Sequence, residues 1–246
     1  MAKPTVILVG ADKGGVGKTT VTRALLDYFV AHNVPTRAFD TEHPRGTLKR
    51  FFPDVTEIVD MTAVPDQMKI FDTLGGPDER LTVIDIRAGL LSQTLHSLRD
   101  IGFIEATKKS QINFAVFHIL GPSITSLEEI AETASYVADG HYFLVKNFIN
   151  NTSFFEWDPE TYQSYFRKIR NAVEITIPKL DEMACEQVEL ASVPYFAFVS
   201  NKTASGDHAQ YSFVLRGYVR HWLGHVWSEF DRIKLIELAG AQARAA

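Results

Sequence analysis

The feature that most constrains the fold is a short apolar segment followed at once by a glycine-rich turn. Residues 5–10, TVILVG, are apolar and rich in β-branched side chains, as is typical of a buried strand. Glycines occupy positions 14, 15 and 17, and the segment 19–33 has the spacing of a helix. A strand that passes through a tight turn into a helix predicts the start of a parallel β–α–β unit.

The rest of the chain alternates in the same way between short apolar segments and segments of helical period. We therefore predict an α/β fold with a doubly wound, mostly parallel twisted sheet that has helices on both faces. The predicted strands are 5–10, 35–40, 57–61, 81–86, 112–120, 141–148 and 174–180. The predicted helices are 19–33, 66–74, 90–107, 126–139, 159–172, 181–190 and 211–239. Ser126, with Glu129 three residues later, is predicted to begin its helix as a capping box.

Length and composition favour a single domain. The 246 residues are 46% apolar, enough to bury a sizeable core, so we expect one domain over 1–246 with a frayed tail at 239–246. A net charge of -5 does not indicate a surface coated for nucleic acid, although a local basic patch would be hidden in that sum.

The chain also has features expected of a cytoplasmic protein. Cys185 is the only cysteine, so no intramolecular disulfide is possible, and the start of the chain lacks the pattern of a secretory leader. The most apolar stretch covers ten residues, 112–121, and contains His118. A bilayer span needs about 20 apolar residues, so we predict no membrane span.

The glycine-rich turn predicts a phosphate site. A turn of this kind between a strand and a helix directs backbone N–H groups and a helix N-terminus at an anion. In that interpretation Lys18 contacts the β and γ phosphates and the Thr19 hydroxyl ligates Mg²⁺. The alternative is a structural turn with two exposed lysines.

The turn departs from the ordinary phosphate-binding loop at its first position. Asp12 stands where that loop begins with glycine, and Lys13 follows it. The segment KGGVGKTT thereby resembles the deviant Walker A motif of the ParA/MinD family of ATPases. The resemblance assigns the nucleotide to Gly14, Gly15, Val16, Gly17, Lys18, Thr19 and Thr20. It also implies that two subunits enclose two ATP molecules and that Lys13 contacts the phosphates of the partner subunit, much as an arginine finger acts in trans.

Two acidic segments also resemble motifs of the ParA/MinD family. Asp40 and Glu42 resemble the Asp-x-Asp motif of the family, in which the first acid supports the Mg²⁺ site and the second positions the attacking water. The longer glutamate puts the hydrolysis rate in question. The segment LTVIDIRAG resembles a Walker B motif, with Asp85 holding Mg²⁺. Arg87 interrupts the usual sequence after this aspartate and is either a phosphate contact or a surface charge.

The resemblance weakens towards the C-terminus. Asn147 ends a predicted strand at the place where related ATPases use asparagine to bind adenine, and it is otherwise an ordinary turn residue. Pro178 and Lys179 lie where the family makes backbone contacts to the base. The motifs are more similar to divergent plasmid-borne members, such as StbB, TraL or VirC-type proteins of conjugation, than to chromosomal partition proteins.

Basic and histidine side chains mark the last predicted helix. Its basic residues either contact DNA phosphates without sequence preference or form a solvated helix face; they are Arg216, Arg220, Arg232 and Lys234. His221 and His225, four residues apart, either bind a metal or are ordinary histidines. The aromatic segment 154–157, FFEW, is predicted to pack or to contact a partner.

These features predict an ATP-dependent switch that uses ATP and Mg²⁺, dimerises on ATP, and hydrolyses it slowly. The expected role is partition, positioning or transfer of a plasmid or other DNA, with a partner protein that stimulates hydrolysis. One alternative is an enzyme that transfers the γ-phosphoryl group to a small molecule, as in proteins similar to dethiobiotin synthetase. Another is a nucleotide-binding module with negligible hydrolysis.

Overall fold

The computed structural model describes residues 3–76, 81–121, 124–137, 140–149, 154, 158–166 and 172–240. Its strands are β1 (Thr5–Gly10), β2 (Thr36–Asp40), β3 (Thr56–Ile58), β4 (Leu81–Asp85), β5 (Asn113–Ile119), β6 (His141–Asn147) and β7 (Ala172–Ile177). Its helices are α1 (Lys18–Ala31), α2 (Val64–Phe71), α3 (Leu91–Asp100), α4 (Phe103–Lys108), α5 (Ile124–Tyr136), α6 (Pro159–Phe166), α7 (Glu182–Ala191), α8 (Tyr195–Val199), α9 (Phe213–Arg232) and α10 (Leu235–Leu238).

The seven strands form one sheet in the order β3-β2-β4-β1-β5-β6-β7. Every neighbouring pair in that order is parallel. The predicted doubly wound α/β fold is therefore confirmed, and the sheet is parallel throughout the described strands. Since all strands run the same way, the loops that follow β1, β2, β4 and β6 lie along one edge, which we call the carboxyl edge.

Two apolar cores cover the two faces of the sheet. Alternate residues of β1 point to opposite faces, so Ile7 and Val9 belong to one core while Val6 and Leu8 belong to the other. The first core is completed by α1, α7, α8, α9 and α10, and the second by α2, α3, α4 and α5. Burial on both faces explains why the central strands are apolar along their whole length.

Two predicted helices are each divided in the structure. The segment 90–107 forms α3 and α4, because Gly102 has a φ of 80° and interrupts the helical path between them. The segment 211–239 forms α9 and α10, which are separated at Lys234 with a φ of 55°. The apolar spacing of the sequence continues across both breaks and therefore predicts one long helix in each case. A single residue with left-handed backbone conformation does not alter that spacing.

Other boundaries also differ. Ser126 lies inside α5, which begins at Ile124, so the predicted N-cap is wrong. The strand predicted at 174–180 is shifted towards the N-terminus, because β7 ends at Ile177. The short helix α8 was not predicted.

Two predicted segments lie partly outside the described residues: 241–246 of the tail and 155–157 of the aromatic segment. Phe154 of the aromatic segment is buried against Phe148, with ring centroids 4.9 Å apart.

Candidate functional site

The glycine-rich loop joins β1 to α1 and leaves the start of α1 without a side-chain cap. Gly15 and Gly17 have φ values of 75° and 85°, a conformation that residues with a Cβ rarely adopt. Gly17 is the N-cap residue of α1 and has no side chain that could accept a hydrogen bond from this helix end. The first N–H groups of a helix have no partner within the helix. They are therefore available to an anion, which the helix dipole also favours.

Two buried aspartates end neighbouring strands beside this loop. Asp40 and Asp85 are paired in register at the ends of β2 and β4, and they are 1% and 4% exposed. Burial raises the pKa of Asp85 to about 7; a hydrogen bond from Thr19 opposes this shift, and the charge of Asp40 adds to it. Among the described residues, Asp85 Oδ1 has no hydrogen-bond partner. A buried, unpartnered carboxylate oxygen beside a threonine hydroxyl suits a hard cation such as Mg²⁺.

Lys18 lies among these acids at the first position of α1. Burial lowers the pKa of the Lys18 ammonium, and the charges of Asp85, Glu42 and Asp12 oppose this shift. The fold thus brings together the lysine and the acids that lie far apart in the sequence. The contact of Lys18 with phosphate remains a prediction.

The carboxylate of Asp40 holds the loop that follows β2. Its Oδ1 accepts from the Glu42 N–H at 2.9 Å, and its Oδ2 accepts from the N–H groups of Leu48 at 2.7 Å and Lys49 at 3.3 Å. Glu42 in turn accepts a hydrogen bond from the Thr47 hydroxyl. Sequence reasoning did not identify this structural role. The catalytic and metal-supporting roles of Asp40 and the water-positioning role of Glu42 remain predictions.

The loops after β2 and β4 are hydrogen-bonded to each other. The Thr41 hydroxyl accepts from the Arg87 N–H at 2.7 Å, and the Thr41 N–H donates to the Asp85 carbonyl at 3.0 Å. Arg87 itself is exposed. Hydrogen bonds from Thr62 lower the pKa of Asp60 most, and the nearby Arg87 charge lowers it further. An exposed guanidinium near Asp60 favours the surface-charge interpretation of Arg87.

Asp12 connects the glycine-rich loop to α3. Its carboxylate accepts from both the hydroxyl and the N–H of Ser92, the second residue of that helix. The N-cap residue of α3, Leu90, provides no side-chain cap, so Asp12 serves as the cap from another part of the chain.

Lys13 is exposed next to this connection. Its stem passes over Gly121, where an added Cβ would lie 2.9 Å from Lys13 Cδ. Within the described part of the chain its ammonium takes part in no ion pair. Its predicted contact with a second nucleotide remains untested.

A pocket of about 310 Å³ opens beside the first turn of α1. It is lined by Thr20, Asn147, Ile149, Pro178, Lys179, Leu180, Glu182, Cys185, Tyr195 and Trp222. The structure therefore brings Asn147, Pro178 and Lys179 together, as their predicted contact with one ligand requires. Sequence reasoning missed Tyr195 and Trp222, although the apolar spacing of α9 contained Trp222.

Asn147 and Trp222 hold the walls of this pocket. Asn147 Nδ2 donates to the carbonyls of Val16 at 3.0 Å and Gly17 at 3.3 Å, and a Cβ added at Gly17 would lie 2.3 Å from that nitrogen. Trp222 Nε1 donates to the Pro178 carbonyl at 2.7 Å. The amide donor of Asn147 is thus used within the chain, which leaves its acceptor oxygen for a ligand.

Most of the basic side chains predicted to contact DNA have acceptors within the chain. Arg216 donates to the Val199 carbonyl, Arg232 pairs with Glu229 and donates to the Glu174 carbonyl, and Lys234 lies 3.8 Å from Glu237. Arg220 is exposed, and no ion pair involving it is found among the described residues. Within the described part of the chain, carboxylates face Arg232 and Lys234, whereas Arg216 and Arg220 keep a positive charge without an acidic partner. DNA binding remains a prediction.

The described residues contain no group of three or more histidine, cysteine, aspartate or glutamate side chains placed to hold a metal ion. Mg²⁺ in nucleotide sites takes several ligands from phosphates and water, so this absence does not conflict with the Thr19–Asp85 arrangement. Within the same described ranges, no helix is both long and apolar enough to cross a membrane.

An all-parallel sheet whose first strand leads through a glycine-rich loop into a helix is a P-loop NTPase-like fold. No protein-family model matches the chain, and no curated protein matches its sequence. Among solved structures, a ParA family ATPase from Chlorobium tepidum TLS is similar with a TM-score of 0.50 and 11% identity, over 92% of this chain and 100% of that one. This similarity supports the ParA-like fold.

Two further solved structures resemble the chain less well. A nucleotide-binding protein from Archaeoglobus fulgidus in complex with ADP has a TM-score of 0.49 and 17% identity, over 75% of this chain and 85% of that one. The signal recognition particle 54 kDa protein from Aeropyrum pernix K1 in complex with GDP has a TM-score of 0.32 and 19% identity, over 98% of this chain and 51% of that one.

Proposed function

We propose that the protein is an ATP-binding molecular switch that dimerises on ATP and hydrolyses it slowly. The observation that carries this proposal is the convergence of three features at the carboxyl edge: the uncapped start of α1, Lys18, and the unpartnered oxygen of Asp85. Each of these features suits one part of a nucleoside triphosphate or its metal ion.

Different groups of the chain would contact different parts of the nucleotide. The N–H groups of the loop and of the start of α1 donate hydrogen bonds to the phosphate oxygens, and the Lys18 ammonium neutralises the outer phosphates. Thr19 and Asp85 would hold Mg²⁺, which supplies further neutralisation of the phosphate oxygens when bound. Taking the negative phosphates out of water costs free energy. The positive groups of the site offset this cost because they are already in place before the ligand binds.

The pocket beside α1 suits adenine better than guanine. Because the Asn147 donor is used by the Val16 and Gly17 carbonyls, its free acceptor favours the amino group of adenine. The carbonyl oxygen of guanine at the same position would face another acceptor. Adenine therefore fits the pocket, with Pro178 and Lys179 beside it.

The loop after β2 favours slow hydrolysis. Asp40 uses both carboxylate oxygens to hold backbone N–H groups, and Glu42 is hydrogen-bonded to Thr47. The Thr47 hydroxyl holds one of the two Glu42 carboxylate oxygens and so restricts how this side chain can turn towards a water. These contacts also support a second candidate, a nucleotide-binding module with negligible hydrolysis. Glu42→Ala distinguishes the two, because turnover falls in a switch and is unchanged in such a module.

Lys13 is the residue that favours a dimer. Its exposed ammonium lies beside the phosphate loop and has no ion-pair partner among the described residues. A second cation near a γ-phosphate stabilises charge when it is supplied by another subunit. The resemblance of KGGVGKTT to the ParA/MinD motif supports this arrangement. Partition, positioning or conjugative transfer of DNA, with a stimulating partner protein, is the cellular role we assign to the switch.

The decisive test compares the solution mass and DNA retention of the protein with Mg-ATP and with Mg-ADP. We expect a dimer that retains DNA in ATP and a monomer in ADP. Lys13→Ala should remain a monomer in ATP while still binding nucleotide. Lys109→Ala, which changes an exposed lysine outside the site, is the matched control and should behave as the wild type.

A monomer in both nucleotides, with Lys13→Ala indistinguishable from wild type, would contradict the dimer. If small molecules instead of DNA then stimulated ATP turnover, phosphoryl transfer to such a substrate would replace the switch as the function. Failure to bind ATP at all would remove the proposal entirely.

A further inference from the structure

A pair of histidines lies on the exposed face of α9, outside the phosphate site and the neighbouring pocket. His221 and His225 are one helical turn apart, and both are exposed. Their Nε2 atoms are 3.1 Å apart and their ring centroids 4.5 Å apart. The ring planes are nearly perpendicular, at 89°, and the two Nε2 atoms are close enough for one ion to reach both.

We propose that His221 and His225 form a two-point binding site for a divalent transition-metal ion such as Cu²⁺, Ni²⁺ or Zn²⁺. Imidazole nitrogens bind these ions at about 2.0–2.1 Å. Two such bonds to nitrogens 3.1 Å apart subtend an angle of about 98° at the metal. This angle lies between those of neighbouring ligands in square-planar and tetrahedral sites, so the ion binds without a change of the helix backbone.

The surroundings of the pair leave room for the rest of the coordination shell. Gly224 lies between the two histidines, and a Cβ added there would meet no atom within 4 Å. No third protein ligand accompanies the pair among the described residues. The remaining positions are thus open to water, and the site is an exposed chelate, in contrast to a closed structural zinc site.

The site requires both Nε2 lone pairs. In the metal-free protein the two nitrogens share one hydrogen bond, so one of them carries the proton. When the ion binds, the ring that carries its proton on Nε2 moves that proton to Nδ1, so both rings stay neutral and both Nε2 lone pairs bind the ion. After one ring binds the ion, the second bond forms within the same molecule and adds strongly to the affinity. Loss of either ring should therefore weaken binding by much more than a factor of two.

The test is a titration of the untagged, nucleotide-free full chain with Ni²⁺ by calorimetry and with Cu²⁺ by electron paramagnetic resonance. We expect one ion per chain at this site and a Cu²⁺ spectrum with coupling to two equivalent nitrogens. His221→Ala and His225→Ala should each weaken Ni²⁺ binding by about a hundredfold. Both side chains are exposed, so the variants should keep the far-ultraviolet circular dichroism of the wild type.

Two controls separate this site from other metal ligands in the chain. His96→Ala removes another exposed histidine, whose Nδ1 lies 3.1 Å from Asp100 four residues later, and should leave Ni²⁺ binding unchanged. Cys185→Ser removes the only thiol and should also leave it unchanged. Equal Ni²⁺ affinity in the wild type and the His221→Ala, His225→Ala double variant would overturn the proposal, as would a Cu²⁺ spectrum without nitrogen coupling.

Discussion

At the scale of single residues, buried charge is placed where backbone or side-chain partners compensate it. Asp27 of α1 is 1% exposed and accepts hydrogen bonds from the N–H groups of Phe196 and Tyr195 at the start of α8. Arg23, one turn earlier, is 2% exposed, pairs with Glu189, and stacks 4.2 Å from the Tyr195 ring centroid. An isolated buried charge is costly, and these partners offset that cost in part. Among the described residues, Arg23 Nε, Arg23 Nη2 and Asp27 Oδ2 have no hydrogen-bond partner.

Asp27 should make stability depend on pH. Burial raises the pKa of Asp27 from 3.8 to about 7, so the folded state holds its proton more tightly than the unfolded state. The corresponding stability is present below about pH 4 and is lost as the pH rises to about 7. Asn at position 27 cannot ionise. As the pH rises over this range, we expect the free energy of unfolding of Asp27→Asn to fall by less than that of the wild type, with a difference of up to about 4 kcal/mol.

Urea denaturation of both proteins at several pH values between 4.5 and 8 measures this effect. Asp85, whose pKa is also raised to about 7, is present in both proteins and cancels in the comparison. If the difference in free energy of unfolding between wild type and Asp27→Asn were the same at every pH, Asp27 would not titrate as stated.

At the scale of elements, polar side chains near strand ends hold the loops of the site. Asp12 caps α3, Asp40 holds the N–H groups of the loop after β2, and Asn147 holds the carbonyls of the glycine-rich loop. Each of these side chains follows or ends a parallel strand at the carboxyl edge. The loops are thus connected to one another before any ligand arrives, which reduces the ordering that binding requires.

The capping contact of Asp12 can be tested directly. Asp12→Ala removes the acceptor for the Ser92 N–H and hydroxyl, and loss of an N-cap costs about 1 kcal/mol. We expect this decrease in the free energy of unfolding by urea denaturation. Asp12→Asn keeps an acceptor oxygen and should retain most of the stability. A value for Asp12→Ala equal to that of the wild type would show that α3 does not need this cap.

At the scale of the whole molecule, the parallel sheet collects the site at one edge. β1 is central in the sheet, with β4, β2 and β3 on one side and β5, β6 and β7 on the other. Residues from loops after four different strands therefore meet around the start of α1. A ligand at this edge contacts both sides of the sheet and should stabilise the molecule as a unit.

Mg-ATP should therefore raise the melting temperature more than Mg-GTP does. A ligand at a hundred times its dissociation constant adds about 2.7 kcal/mol, which for a chain of this size corresponds to about 5–10 °C. The Asn147 acceptor predicts a smaller shift with Mg-GTP at the same concentration. Lys18→Ala should abolish both shifts in differential scanning fluorimetry. Equal shifts with ATP and GTP would refute the proposed selection of adenine by Asn147.

The sequence by itself determined the strand–loop–helix unit at 5–33, the approximate positions of the main strands along the chain, and the acidic residues at strand ends. These features depend on local periodicity and on turn chemistry, which a few neighbouring residues encode. Lys18 was named from the glycine-rich turn, and Asp85 from the resemblance of its segment to a Walker B motif.

Only the tertiary structure decided what these residues contact. The hydrogen bonds of Asp12, Asp40 and Asn147, and the pocket walls from Tyr195 and Trp222, join residues that are distant in the sequence. The breaks at Gly102 and Lys234 also escaped prediction, because each depends on a single left-handed residue whose conformation the surrounding packing stabilises. Local pattern specifies elements, whereas the packing of elements specifies which polar atoms remain free for a ligand.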